Sequence, residues 1–129
     1  MEMFPFKFDL AFRPMLLGLG VHPGNSHVTL TDDERFVAQF GRWQVDTPLA
    51  NIDCIETSGP YRWYRAIGLR GSAVDHGLTF GTTTDGGVCV TFQEPVRRLI
   101  PGSRDHPGLT VTVADRDGLV DALESRRSG

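Results

Sequence analysis

FPFKFDLAFR, residues 4–13, sets an apolar side chain at every even position from Phe4 to Phe12, with Lys7 and Asp9 between them. A repeat of two sends alternate side chains to opposite faces of an extended chain, so the segment predicts a β-strand with a buried even face. Pro14 ends or bends that strand, because proline has no ladder donor to offer. The glycines of MLLGLGV, residues 15–21, predict a sharply bent continuation.

The same period returns down the chain. HVTLT (27–31) and RFVAQF (35–40) flank the polar DDE and predict a hairpin. RWQVD (42–46) alternates again, and LANIDCIET (49–57) carries apolar residues on both faces, as a strand crossing a core would. LTFGT (78–82) and VCVTF (88–92) flank TDGG, which predicts a second hairpin. LTVTV (109–113) is the last alternating run. ADRDGLVDALESRR (114–127) changes period: Leu119, Val120 and Leu123 form a helical stripe behind Asp115 as the cap. Asp117 in the first turn and Arg126 and Arg127 in the last suit the helix dipole. The stretch 58–77, SGPYRWYRAIGLRGSAVDHG, fits neither period and reads as a long connection holding a helical turn or a poor strand.

About seven strands over 4–113 followed by one helix over about 115–127 predict a single mainly β domain spanning 1–129. A sheet of that length curls to hide its edges, and one amphipathic helix suits the open end. The expectation is a bent antiparallel β-barrel capped by the C-terminal helix. In this order of elements, and in the ending LTVTV then ADRDGLVDAL, the chain resembles bacterial pleckstrin-homology (PH)-like domains. The run RWYRAIGLRGSAVDHGLTFGTTTDGGVCVTFQEPV is also similar to that of small proteins from high-GC bacteria.

Composition narrows the function classes. The 129 residues are 40% apolar and 22% charged, as in soluble globular domains. No apolar run nears the roughly 20 residues of a bilayer span, and MEMFPFKFDLAFR does not read as a secretory signal, so a cytoplasmic location is expected. A net charge of −3 argues against general nucleic-acid binding. Cys54 and Cys89 lack metal-ligand spacing and fall in strand-like runs, where a cysteine behaves as a small buried hydrophobe.

Candidate chemistry is sparse. His-Pro-Gly occurs twice, at 22–24 and 106–108, and reads as two tight turns, with proline fixing φ and glycine supplying a positive φ. Asp75-His76 and Asp105-His106 allow a metal-dependent enzyme as a third-ranked reading, yet no HxH, HxxxH or HExxH is present. GTTTDGG (81–87) lacks the lysine of a phosphate loop, and no GxSxG elbow exists. No cofactor is indicated. Arginines among aromatics are the strongest lead: Tyr61, Arg62, Trp63, Tyr64 and Arg65 as anchors for a protein partner or for self-association. The expected role is a non-catalytic binding or scaffolding module. The alternative is a barrel that holds an anionic small molecule or lipid headgroup through Arg62, Arg65, Arg70, Arg97 and Arg98.

Overall fold

Four antiparallel strands in chain order make the first sheet: β1 (Glu2–Pro5), β2 (Ser26–Leu30), β3 (Arg35–Phe40) and β4 (Trp43–Pro48). The computed structural model describes residues 2–59, 67–71, 77–97, 99 and 105–128. β2 and β3 are the expected hairpin, closed over Thr31–Glu34, with Glu34 in the left-handed region at φ 64°. Gly41, at φ 60°, turns β3 tightly into β4. The buried positions of β3 are Phe36, Ala38 and Phe40, so the predicted alternation holds along that strand.

The second sheet contains β5 (Ile52–Ser58), β6 (Gly68–Gly71), β7 (Leu78–Gly81), β8 (Gly87–Val96) and β9 (His106–Val111), in the order β5-β8-β9-β7-β6. β7 runs parallel to β9, and every other pair is antiparallel. The described chain is therefore mainly β with a C-terminal helix, as expected, but its nine strands form two sheets and close no barrel. The expected β7–β8 hairpin is also replaced. The Asp85-Gly86 turn is present, but β9 lies between the two strands it joins.

The opening segment departs most from its pattern. Its strand ends at Pro5, and Phe6 forms a lone bridge to Val113, just past β9. Lys7 N donates to Thr112 O at 3.0 Å, and Asp9 N donates to Thr82 O at 3.1 Å. The chain then turns through Leu10–Phe12 into a short helix, α1 (Arg13–Gly18). Pro14 sits in the first turn of α1, where a missing N–H costs nothing and a fixed φ favours the helix. The proline expected to end a strand thus begins a helix.

The helix at the end, α2 (Arg116–Ser128), matches its expectation closely. Gly118 N donates to Asp115 Oδ1 at 3.0 Å, which caps the first turn. Leu119 and Leu123 are fully buried, and the helix packs on β5, β8 and the turn Leu49–Asn51. Arg126 donates to Thr31 O at 2.6 Å and pairs with Glu34, which ties the far end of the helix to the β2–β3 turn.

The first His-Pro-Gly is a tight turn, as expected, but without the positive glycine φ, and the second is not a turn. Pro23–Asn25 is a 3-10 turn in which Gly24 has no positive φ. His22 caps it, accepting from Gly24 N through Nδ1 at 3.1 Å. His106, Pro107 and Gly108 lie within β9 itself. The β8–β9 register shifts between Thr91 and Val96, and that irregularity admits a proline into the ladder. Gly108 faces Val90 O, which a Cβ would approach to 3.2 Å.

Two stability experiments follow from the packing. Leu123→Asp buries an unpaired charge beneath α2 and is expected to destabilise by more than about 4 kcal/mol, read by urea unfolding. Lys7 Nζ pairs with the Asp85 carboxylate, and this hydrogen bond and the nearby positive charge hold that carboxyl below its ordinary range. A depressed pKa stabilises the fold above the unfolded value of about 4 and ceases to do so as pH falls through the folded value. Lys7→Met should therefore lower the melting temperature slightly near neutral pH and leave it unchanged in strong acid. The pair is exposed, so added salt should shrink the difference.

Candidate functional site

The nominated anchors Tyr61, Arg62, Trp63, Tyr64 and Arg65 lie outside the described residues, as do Arg98 and His76. Of Arg70 only the backbone, in β6, is described. Arg97 is exposed and lines a cleft of ≈ 460 Å³ together with Asp46 and Glu94. Two carboxylates in the same lining make that cleft a poor receptor for an anion.

His106 is completely buried, and its Nε2 accepts from Leu99 N at 3.2 Å. That bond requires an unprotonated Nε2 and engages the lone pair a metal would use. No group of three described His, Cys, Asp or Glu side chains could hold a metal ion. Cys54 is exposed and Cys89 half-buried, so neither is the buried hydrophobe expected of it.

The surface that sequence reasoning missed lies in the segment misread as a strand. Leu10 is 77% exposed, Leu17 is 60% exposed, and Met15 and Leu19 are exposed beside them in sequence. Only Leu16 of α1 is buried. Val21 N returns to Leu16 O at 2.9 Å, so a closed turn holds α1 and its exposed apolar side chains in place. From residue 10 to residue 21, Arg13 is the one charged side chain. The signal was available: apolar residues on all sides of a short segment cannot all face one core.

A cleft of ≈ 570 Å³ opens where α2 meets the β2–β3 turn, lined by Asp33, Glu34, Leu49, Ile52, Gln93 and Arg126, among others. It shares Pro48, Ala50 and Gln93 with the cleft that holds Arg97, so the two form one groove. Asn51 stitches its floor: its side chain accepts from Glu94 N at 2.9 Å and donates to Glu94 O at 3.0 Å.

No protein-family model, curated protein or solved structure matches the chain.

His106→Ala leaves the Leu99 N–H without its acceptor, a loss of about 1–3 kcal/mol for the orphaned donor plus the cavity contribution. Chemical denaturation should show a lowered midpoint. An unchanged midpoint would mean that the buried imidazole has no structural role.

Proposed function

We propose that this chain is a binding and scaffolding module that works through protein–protein contact, with the ridge of Leu10, Met15, Leu17 and Leu19 as its docking surface. The observation that supports this reading is the exposure of those four large side chains in a stretch with a single charge. Large apolar side chains left open on a surface mark a contact site where they gather into a patch. The ridge is also preformed, which lowers the entropy cost of docking.

The aromatic anchors Tyr61 to Arg65 belong to the same reading. The resemblance to PH-like domains implies the same kind of role, that of a docking scaffold, although the parallel β7–β9 pair departs from an antiparallel barrel.

The test is a Leu10→Ser/Leu17→Ser double variant. Its stability should stay within about 0.5 kcal/mol of the parent, as for surface substitutions. Binding of a hydrophobic dye to the folded protein should fall, and proteins that co-purify with the parent from its native host should be lost. Collapse of the fold would instead assign the ridge to the core. Unchanged co-purification would move the contact elsewhere.

A further inference from the structure

The strand β4 ends the first sheet with one side open. Arg35 O accepts from Thr31 N at 3.0 Å, so the Arg35–Pro48 pair is not hydrogen-bonded on the β4 side. Alternation along an antiparallel ladder then points the N–H and C=O of Gln44 and Asp46 away from β3, and the C=O of Pro48 with them. No described residue bonds to these outward groups, and β3 is the one strand that pairs with β4. The second sheet differs at β5, its edge strand, where α2 packs.

The outward groups of Asp46 and Pro48 border the groove. Its apolar floor includes Leu49 and Ile52, both buried. Its walls carry Asp33, Glu34, Asp46 and Glu94 against Arg97 and Arg126, with Arg35 reaching Asp46 at 2.7 Å. Counting Arg35, four carboxylates meet three arginines, two of which pair with Asp46 and Glu34, so the balance is negative by one charge.

We propose that the free edge of β4 and the groove beside it receive an extended, positively charged peptide segment of a partner protein as an added strand. Main-chain bonds to Gln44 and Asp46 supply the pairing, alternate apolar side chains lie against the exposed Pro48 and Ala50, and the cations between them meet the carboxylates. A second copy of β4 is a poorer occupant: the sequence WQVDTP has no cation to offer and would bring Asp46 and Pro48 to the contact twice. The site uses none of the ridge residues, so the two surfaces fail or succeed independently.

The experiment titrates the full chain with a capped synthetic peptide of alternating Lys and Val, about six residues long to match the strand, and follows backbone amide shifts by NMR. The largest shifts are expected at Gln44, Asp46, Ala50 and Glu94. A Glu-for-Lys analogue should bind on the order of tenfold more weakly. Gln44→Pro removes one outward donor while leaving the β3 ladder intact, and Ala50→Trp fills the groove from an exposed position. Each should abolish binding, and if Gln44→Pro fails to fold, Ala50→Trp decides. Leu10→Ser/Leu17→Ser should bind the peptide as the parent does.

Equal affinity for both peptides, binding retained in Ala50→Trp, shifts confined to residues 10–19, or no binding at all would overturn the proposal. So would a dimer in sedimentation that Gln44→Pro abolishes, since the occupant would then be a second copy.

Discussion

The two sheets meet across an aromatic stack at the centre of the core. Phe40, the last residue of β3, lies flat on Phe80 of β7 with ring centroids 4.9 Å apart, and Phe6 closes on Phe40 at 5.8 Å. All three are buried, one from each sheet and one from the segment passing between them. Stacked and tilted rings add to the apolar area they bury, so this cluster fixes how the sheets face each other. Around it the backbone crosses over. Ala114 N donates to Pro5 O at 3.0 Å, and Thr82 Oγ1 donates to Lys7 O at 2.5 Å while sharing a 3.0 Å contact with the Thr112 hydroxyl. A polar crossing inside a core survives because its groups are paired: no buried side-chain polar atom among the described residues lacks a partner. Because residues 5–9 are clamped there, Leu10 and α1 emerge at a set place on the surface.

That crossing also explains where pattern reading stopped. β3, β4, β8 and α2 were legible, since each buries alternate or helically spaced residues over the stretch that was read. Residues 4–12 show a period as clear as any, yet Leu10 is exposed. The repeat of two describes side chains, whereas the strand ends because Lys7 and Asp9 find acceptors in Thr112 and Thr82, just past β9 and β7, a tertiary event without a local signature. The place of β9 between β7 and β8 is hidden for the same reason. A strong turn signal at Asp85-Gly86 shows that the chain turns, not which strand it meets afterwards. One clue was local: a Cβ on Gly87 would lie 2.7 Å from Val111 O, and such a close approach marks a backbone neighbour.

For function, the arginine-aromatic signal named residues outside the described set, and the histidine signal led to a structural side chain. Both surfaces raised here, the ridge and the β4 edge, depend on what the fold leaves uncovered. Sequence reveals what a residue prefers, but exposure is decided by neighbours far along the chain.

The groove is coupled to the seating of the last helix. Glu34 is a non-glycine residue in the left-handed region, a conformation that costs about 1–2 kcal/mol. Three contacts hold it there: its N–H donates to Thr31 O, its C=O accepts from Leu49 N at 2.9 Å, and its carboxylate meets Arg126 at 3.1 Å. Arg126 in turn depends on Leu119 and Leu123 keeping α2 against the second sheet. If α2 lifts, Glu34 loses its ion pair and the turn loses one of the contacts that offset its strain. The wall formed by Asp33, Glu34 and Arg126 then has no reason to keep its shape. Whatever occupies the groove must therefore favour the seated helix, and by linkage a seated helix must favour the occupant to the same extent.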